Sequence, residues 1–322
     1  MGYSKSRLVN LSEQRKIALL KDTLGDCYNK GSELLFHCPK CEHHKKKLSV
    51  NLDKSVFKCW VCDWSGRNIY RIIRRYGSTN ARYEWKSFND QIEIENFNEK
   101  MFGKSDVGKK EAIELPKSFI SLTSKNLSST SVLPLNYLNG RGITKEDILK
   151  WKIGYCPTGK YAGRVVIPSF DVEGNLNYFV TRAYDNDWKK YLNPKTSRDI
   201  VFNHLYLDFD EPLTIVEGVF DAIKAGENSV PLLGSTLTET SFFFQELIKN
   251  DTPVYLALDP DAEHKTNKLI NLLLKYDVEV NKINVAPFDD VGEMTKREFE
   301  TRKQSAVFLD SDNYLLSRIV GI

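Results

Sequence analysis

The chain has no uninterrupted apolar run that approaches the ~20 residues of a membrane-spanning helix, and its start, MGYSKSRLVNLSEQRK, has no apolar signal segment. No internal repeat stands out. With 322 residues, 41% of them hydrophobic and 28% charged, the composition is that of a globular protein of two or three domains. We therefore expect an intracellular, cytoplasmic protein with no membrane partner.

A nucleotide-binding P-loop is also missing. The stretches GKSDVGKK at 103–110 and GYCPTGKY at 154–161 match the G-x4-G-K pattern. Neither is followed by the Ser or Thr that binds Mg²⁺, and neither links a convincing buried strand to a helix. The sequence therefore does not support a fused ATP-driven motor.

Positive charge is concentrated near the N-terminus. The formal net charge is only +3, but residues 1–80 carry 16 Lys and Arg against 7 Asp and Glu, which leaves the remaining residues net negative. A local excess of this kind indicates a polyanion-binding surface. A solvated face that keeps a small domain soluble has the same signature, so both interpretations stay open.

Four of the six cysteines form two C-x2-C pairs separated by 17 residues: Cys38, Cys41, Cys59 and Cys62. This spacing predicts a tetrahedral zinc site with a structural role, with each pair on a tight turn. Disulfides are disfavoured in an intracellular chain. A neighbouring histidine could replace one thiolate, but an all-cysteine site is simpler; the histidines are His37, His43 and His44.

Three lysines lie between the cysteine pairs, at Lys45, Lys46 and Lys47. Nearby aromatic residues offer ring faces on which bases could stack: Phe57, Trp60 and Trp64. Charge interleaved with aromatics is typical of single-strand binding, although the aromatics could instead form the small core of this domain, Phe57 first. We expect the lysines to bind a single-stranded nucleic acid.

A regular alternation of strand and helix patterns begins near Leu213. The predicted strands LTIVEG, SVPLLG, PVYLALD and EVNKINVA alternate with helical patterns, which predicts right-handed crossovers and a parallel sheet. Upstream, YLNGRGITKEDILKWKIGYCP suggests two helices, and GRVVIPSF and NLNYFVTRAY indicate two strands joined by a turn. In the basic N-terminal region, SEQRKIALLKDTLGD and NIYRIIRRYG both predict helices. In the second, the isoleucines share one side, Arg71, Arg74 and Arg75 lie largely on the other, and Gly77 ends the helix.

Acidic residues follow two of the predicted parallel strands: Glu217, Asp221, Asp259 and Asp261. Ligands of open parallel sheets bind at the C-terminal strand ends, and four carboxylates there would repel one another unless a cation joined them. The pattern predicts Mg²⁺, with Mn²⁺ as the alternative ion. Each acid alone would more often be a helix cap; the two motifs within one alternating unit favour the metal site.

VEGVFDA followed by ALDPDAE resembles the TOPRIM metal-binding unit of primases, type IA and type II topoisomerases and some nucleases. YLNGRGI, WKIGYCP, GRVVIPSFDVEG, TRAY and KKYLNP are similar to the catalytic core of bacterial-type DNA primases, and the zinc segment resembles that family's zinc-binding domain. The resemblance covers about 1–75 and 134–293, in family order. It implies an α/β fold, an α+β arrangement with a TOPRIM parallel-sheet unit, plus a small N-terminal zinc ribbon.

The resemblance also implies a division of the chain. It places a zinc-binding domain at 1–80, the N-terminal part of an RNA polymerase core at 133–212, the TOPRIM unit at 213–293 and a C-terminal tail at 294–322. The polar, weakly periodic sequence between the first two predicts a linker at 81–132, with room for a partner-binding or helical piece inside it. The implied activity is that of a nucleotidyltransferase that makes short RNA primers on single-stranded DNA from ribonucleoside triphosphates.

Site residues follow from the resemblance by position. Glu217, Asp259 and Asp261, with Asp221 in support, would bind the catalytic Mg²⁺, and Asp290 in FDDVGEM is a weaker candidate. Basic positions that face nucleotide phosphates or template in the family are matched here by Arg141, Arg182 and Lys190.

Two departures from the cellular pattern point to a phage-type enzyme. Cys41 stands where the bacterial motif usually has a histidine, as in primases of large tailed bacteriophages, and the chain stops soon after the TOPRIM unit. We therefore expect a bacteriophage primase subunit of a primosome, in the cytoplasm of an infected bacterium, which works with a separate replicative helicase. The tail DSDNYLLSRIVGI is the expected helicase contact.

Two other functions would use the same features. A TOPRIM nuclease would use the acids to cleave a phosphodiester bond, and a non-catalytic adaptor would bind single-stranded DNA or a helicase through a degenerate site. The intact set of acids argues against the adaptor, and neither alternative needs YLNGRGI or KKYLNP.

Overall fold

The computed structural model describes residues 11–66, 68–89, 113–185 and 188–309, together with Tyr314. The chain divides into two compact units, Met1–Ser105 and Asp106–Ile322. In the part of the chain so described, no helix combines the length and the apolar character needed to cross a membrane.

The N-terminal unit is a five-stranded ribbon with three helices. Its elements in chain order are α1 (Leu11–Leu24), β1 (Tyr28–Lys30), β2 (Glu33–Phe36), β3 (Leu48–Asn51), β4 (Val56–Cys59), β5 (Ser65–Gly66), α2 (Tyr70–Tyr76) and α3 (Thr79–Asn89). Neighbouring strands pair antiparallel in chain order. Short antiparallel strands need only tight turns between them, which suits the close cysteine spacing. The expected zinc-ribbon architecture is confirmed.

Helix α2 packs its apolar side against the ribbon. Ile72 and Ile73 are fully buried in the same core as Phe36 and Phe57. Gly77 ends the helix as expected: its N–H donates to the Ile73 carbonyl at 2.8 Å, and a Cβ at this position would lie 2.5 Å from that oxygen.

The arginines of α2 differ from the prediction. The helical pattern places Arg71 and Arg74 largely on the outer side, but both are buried, at 5% and 6% exposure. Long arginine side chains can place their methylene stems against apolar surface, so a helical wheel alone does not show which arginines are covered.

Helix α3 occupies a stretch that the sequence predicts to be linker. Ala81 and Trp85 are buried at 5% and 3% exposure, and Phe88 packs on the same core. A salt bridge between Arg15 and Glu84 joins α3 to α1. Residues 81–89 therefore contribute to the N-terminal unit.

The first part of the second unit contains a four-stranded antiparallel sheet. The elements are β6 (Ile120–Ser121), α4 (Val132–Gly140), α5 (Lys145–Lys150), β7 (Gly154–Cys156), β8 (Arg164–Phe170) and β9 (Leu176–Ala183), with strand order β6-β7-β8-β9. The predicted pair of strands joined by DVEGN is confirmed. Strand β7 forms where the sequence suggests the end of a helix, because Gly154 lets the backbone approach Phe119 more closely than any side chain would permit.

The second part carries the alternation that the sequence predicts. It runs β10 (Leu213–Val216), α6 (Val219–Ala225), β11 (Ser229–Pro231), α7 (Phe242–Asn250), β12 (Val254–Ala257), α8 (Glu263–Lys275), β13 (Val280–Lys282), α9 (Lys296–Gln304) and β14 (Val307–Leu309). Strand order is β11-β10-β12-β13-β14. The first three pairings are parallel and only β14 is antiparallel. This parallel sheet, with its intervening helices, confirms the expected α/β class.

The region predicted as a tail begins with structured elements. Helix α9 and strand β14 lie within 294–322, and β14 adds a strand to the parallel sheet. Tyr314 is buried, and its hydroxyl donates to the side-chain and backbone oxygens of Asn267 at 3.0 and 3.3 Å. The rest of DSDNYLLSRIVGI lies outside the described residues.

Candidate functional site

The four cysteines converge at one end of the ribbon. Their Sγ atoms all lie within 4.8 Å of one another, with Cys38 3.8 Å from Cys62 and Cys41 3.9 Å from Cys59. Burial raises the pKa of Cys38 to about 12, so four thiolates can coexist here only with a cation among them. A compact cluster of four soft ligands fits a structural Zn²⁺ ion.

The nearby histidines make other contacts. The Nδ1 atom of His37 lies 3.2 Å from the His43 carbonyl, and the rings of His43 and His44 are 4.3 Å apart. Within the described ranges, the only group of three or more Cys, His, Asp or Glu whose ligand atoms lie this close together is the set of four cysteines. This arrangement favours the all-cysteine site over a site with one histidine.

The three lysines between the cysteine pairs lie at the surface. Lys45 and Lys47 are exposed, whereas Lys46 is half-buried with its Nζ 4.4 Å from the ring centroid of Tyr28. Tyr28 is itself 66% exposed. The sequence motifs did not predict a role for this tyrosine; its signal was an aromatic residue on a strand pattern with polar neighbours.

The aromatic residues of this unit divide between the core and the surface. Phe57 and Trp64 are buried, with ring centroids 4.7 Å apart, as the mini-core interpretation predicts for Phe57. Trp60 is 66% exposed, and the Nζ of Lys58 lies 5.2 Å from its ring centroid. Trp60 therefore remains the ring face, among the three predicted, that a base can reach.

The acidic residues converge at the C-terminal ends of the parallel strands. Strands β10 and β12 are neighbours, with Val216 paired to Ala257, so Glu217 and Asp259 leave adjacent strands at the same edge. Asp221 lies in the first turn of α6 and Asp261 in the turn Pro260–Ala262. The parallel order of the strands thus brings two sequence motifs 40 residues apart to one place.

Burial and mutual repulsion raise the pKa values of two of these carboxyl groups. Burial raises the pKa of Asp259 to about 7, with further contributions from the charges of Glu217, Asp221, Asp290 and Asp261. Burial and the charges of Asp290 and Glu217 likewise raise the pKa of Asp221 to about 6, against the opposing effect of two backbone N–H donors. Asp290, the weaker candidate from the sequence, therefore belongs to the same electrostatic cluster.

Two carboxylate oxygens in this cluster lack a partner. Glu217 Oε1 and Asp259 Oδ1 are buried and accept no hydrogen bond within the described residues. The other oxygen of Glu217 lies 3.5 Å from the Nζ of Lys265. Buried oxygens with unused lone pairs on acids that repel one another are what a hard divalent cation such as Mg²⁺ would satisfy.

Asp221 uses both of its oxygens within the protein. Its Oδ2 accepts the N–H of Gly218 at 2.8 Å, and its Oδ1 accepts the N–H of Gly292 at 2.9 Å. Gly292 lies in the turn after Asp290, whose own Oδ1 accepts the N–H of Glu293 at 3.0 Å. Asp221 thereby holds the Asp290 turn beside the strand ends. The sequence analysis did not single out Gly292.

Two of the predicted basic residues, Arg141 and Arg182, pack against aromatic rings. The guanidinium of Arg141 lies 4.8 Å from the ring centroid of Phe220 on α6, and its Nε donates to the Tyr137 hydroxyl at 2.7 Å. Arg182 lies 4.7 Å from the ring centroid of Tyr191. Aromatic faces fix the directions of both guanidinium groups.

Tyr191 connects the basic and acidic groups, although the sequence analysis did not select it. The residue is 42% exposed as a whole, but desolvation of its hydroxyl raises its pKa, and the charges of Arg182, Arg141 and Asp221 also act on it. Arg182 and Tyr191 form an antiparallel bridge. The two predicted arginines and the acidic cluster are therefore in electrostatic reach of one another.

Lys190 has an exposed side chain on a fixed backbone. Its carbonyl accepts hydrogen bonds from the Ala183 N–H at 3.0 Å and from Nη1 of Arg164 at 3.2 Å. Nη2 of Arg164 donates to the neighbouring Lys189 carbonyl at 2.7 Å. Arg164 is buried at 2% exposure, so a core residue positions this surface segment.

The chain is similar in sequence to known DNA primases. It is 22% identical over 320 residues to the DNA primase of Thermotoga maritima, an alignment that covers 84% of this chain and 55% of that protein. It is 24% identical over 344 residues to the DNA primase of Mycoplasma genitalium, with 85% and 55% covered. The chain thus spans about half the length of the curated relatives it matches.

The chain also aligns with a solved primase structure. The solved zinc-binding and RNA polymerase domains of the Aquifex aeolicus primase align with 91% of this chain and 83% of that chain, at 20% identity and a TM-score of 0.47. No protein family model matches the chain.

Proposed function

We propose that this chain is a DNA primase of the bacterial type, a template-directed RNA polymerase that makes short RNA primers on single-stranded DNA. The observation that carries the proposal is the sequence similarity to proteins named DNA primase, which extends over 84% of this chain. The acidic cluster alone would also suit a nuclease.

Glu217, Asp259 and Asp261 are the proposed ligands of catalytic Mg²⁺. When bound, Mg²⁺ would neutralise phosphate charge and stabilise the attacking and leaving oxygens of nucleotidyl transfer. Glu217 and Asp259 offer the two unpartnered buried oxygens, and Asp261 is exposed where a substrate can reach it. Asp221, whose oxygens are both occupied by backbone N–H groups, would position the cluster instead of binding the ion directly.

The basic residues would hold the substrates. Arg182 and Arg141 are oriented by Tyr191 and Tyr137 and share the electrostatic environment of the acids, so they are placed to neutralise the charge of a ribonucleoside triphosphate or the template. Lys190 would add a flexible cation at the same edge.

The ribbon would bind the template. Its exposed Lys45 and Lys47 provide phosphate contacts, and Trp60 provides a stacking surface. Cys41 in place of the usual histidine supports a primase of the kind found in large bacteriophages. We propose that such a subunit acts with a separate replicative helicase, which it contacts through residues 310–322. If the helicase stimulates primer synthesis equally well after deletion of residues 310–322, this contact is ruled out.

Incubation of the full chain with single-stranded DNA, Mg²⁺ and four ribonucleotides, one of them labelled, tests the proposed activity. Short labelled RNA is expected from the wild type and from the control Glu173→Gln/Glu300→Gln, which removes two exposed acids outside the cluster. None is expected from Asp259→Asn/Asp261→Asn. The reaction is run with and without a replicative helicase.

The other outcomes separate the alternatives. Degradation of the DNA that depends on Asp259 and Asp261, without RNA synthesis, would establish the nuclease. DNA binding with neither product, even with a helicase present, would favour the non-catalytic adaptor. Equal RNA synthesis by the wild type and the double mutant would contradict the assigned metal site.

A further inference from the structure

The short loop 188–190 presents an unusual side chain to solvent. Trp188 is 90% exposed, whereas Trp64, Trp85 and Trp151 are all buried. Leaving an indole in water forgoes the stabilisation that burial of so large an apolar surface provides. No ring contact of Trp188 with any described residue is present. Its exposure therefore calls for a role outside the folding of the chain.

The residues that follow Trp188 are cationic. Lys189 and Lys190 are both exposed and directly succeed it, and Arg182 is bridged to Tyr191 one residue further on. Exposed cations next to an exposed aromatic residue in the chain form the combination that holds single-stranded nucleic acid: the cations contact phosphates, and the ring stacks on a base. A protein partner of this loop would instead need acidic groups to match it.

Hydrogen bonds from the sheet hold the backbone of this loop. The buried guanidinium of Arg164 donates to the carbonyls of Lys189 and Lys190 at 2.7 and 3.2 Å, and the N–H of Ala183 donates to the Lys190 carbonyl at 3.0 Å. The backbone directly after Trp188 is therefore held by the sheet. A ring on an anchored backbone loses less conformational entropy on binding than one on a mobile segment.

The loop also lies close to the acidic cluster. Two residues lie between Trp188 and Tyr191, so their Cα atoms are at most about 11 Å apart. The charges of Arg182, Arg141 and Asp221 act on the Tyr191 hydroxyl. A nucleic acid strand that passes the arginines would therefore come within reach of the indole.

We propose that Trp188 is a stacking platform for a base of single-stranded DNA, with Lys189 and Lys190 contacting the adjoining phosphates. This inference rests on the proposed primase function for the identity of the strand as template. Stacking on an aromatic face tolerates any base, so the platform would hold template of any sequence beside the acidic cluster.

Fluorescence anisotropy of a labelled oligothymidylate, titrated with the full chain at several salt concentrations, tests the platform. Trp188→Ala is expected to weaken binding about 5-fold or more at every salt concentration while leaving the salt slope unchanged, because stacking releases no counterions. Trp188→Phe keeps a ring and is expected to stay close to the wild type. Tyr206→Ala removes a 44% exposed ring elsewhere in the same unit and is expected to have no effect.

A second comparison separates the ring from the charge. Lys190→Ala is expected to lower the salt slope as well as the affinity, because it removes a phosphate contact. Equal DNA affinity of the wild type and Trp188→Ala at every salt concentration would overturn the platform. An equal loss of DNA affinity in Trp188→Phe and Trp188→Ala would also overturn it.

Primer synthesis measured on the same variants keeps this inference distinct from the proposed function. RNA synthesis with unaltered DNA affinity in Trp188→Ala would reject the platform and leave the primase standing. Weaker DNA binding by Trp188→Ala in a chain that makes no RNA would support the platform and reject the primase.

Discussion

The carboxylate of Asp221 accepts the backbone N–H of Gly292 at 2.9 Å, which joins the first turn of α6 to the turn that carries Asp290. A Cβ at Gly292 would lie 3.0 Å from Oδ1 of both aspartates. This close approach shows how the fold places a third acidic segment, after β13, beside the ends of β10 and β12.

We expect Asp221→Ala to release the Asp290 turn. The backbone N–H groups of Gly218 and Gly292 would lose their hydrogen-bond acceptor, so hydrogen exchange at both amides should accelerate. Overall stability is a poor readout here, because removal of Asp221 also relieves repulsion with Asp290 and Glu217. Asp261→Ala, an exposed member of the cluster, is the control and should leave both amides protected. Unchanged exchange in Asp221→Ala would show that other contacts hold the turn.

The raised carboxyl pKa values predict an inverted pH dependence for the metal-free protein. An aspartate in an unfolded chain titrates near 3.9, whereas Asp221 and Asp259 titrate at about 6 and about 7 in the fold. The folded state thus binds more protons than the unfolded state between these values. As far as these two groups affect it, the free energy of unfolding is highest below about pH 4 and falls as the pH rises towards about 7.

Thermal unfolding of the second unit in a chelator, at about pH 5 and about pH 8, measures this effect. We expect the lower Tm at the higher pH, recovery on adding Mg²⁺, and a smaller pH difference in Asp259→Asn. A metal-free Tm that does not decrease between the two conditions would contradict the raised pKa values of Asp221 and Asp259.

Loss of one cysteine of the cluster should unfold the ribbon. A structural zinc ion contributes about 10 to 16 kcal/mol of binding free energy in small zinc domains, more than a core of this size supplies on its own. Cys59→Ser should therefore abolish stoichiometric zinc by metal analysis and remove the protected amides of β3 and β4. Cys27→Ser, outside the four-cysteine cluster, is the matched control and should retain one zinc per chain.

Replacement of Lys45, Lys46 and Lys47 by alanine should weaken binding of single-stranded DNA and flatten its salt dependence. Three lost phosphate contacts would reduce the slope of log affinity against log salt by up to about 2. Lys117, Lys125 and Lys268, all exposed in the second unit, provide a triple alanine control with the same change in net charge. If both triple mutants reduced the slope of log affinity against log salt equally, the reduction would be due to overall charge and not to these three lysines.

The features that sequence predicts best are those that repeat locally. The fully buried LTIV of β10 is bounded by Glu217, and the turn Asp259–Pro260–Asp261 follows a second apolar strand, so both the sheet and its acidic edge are visible in the pattern. The paired C-x2-C motifs are equally local. In each case a few neighbouring residues determine both the element and its chemistry.

The features that were missed depend on contacts between distant segments. Helix α3 is the exception: it buries Ala81 and Trp85 and packs Phe88 on the same core, and the i, i+4, i+7 spacing of these residues within a polar stretch is a local signal. Tyr191 is positioned by its backbone bridge to Arg182, and Gly292 is positioned by its hydrogen bond to the carboxylate of Asp221. No local periodicity encodes pairings of this kind.

Strand β14 has a further consequence for the parallel sheet. By pairing antiparallel with β13, Val307–Leu309 covers a row of backbone N–H and C=O groups at that edge of the sheet. A shortened chain that ended at residue 293, where the sequence places the end of the metal-binding unit, would leave this edge open to pairing with other molecules. We expect such a version to aggregate, as light scattering would show, whereas one that retained residue 309 would stay monodisperse.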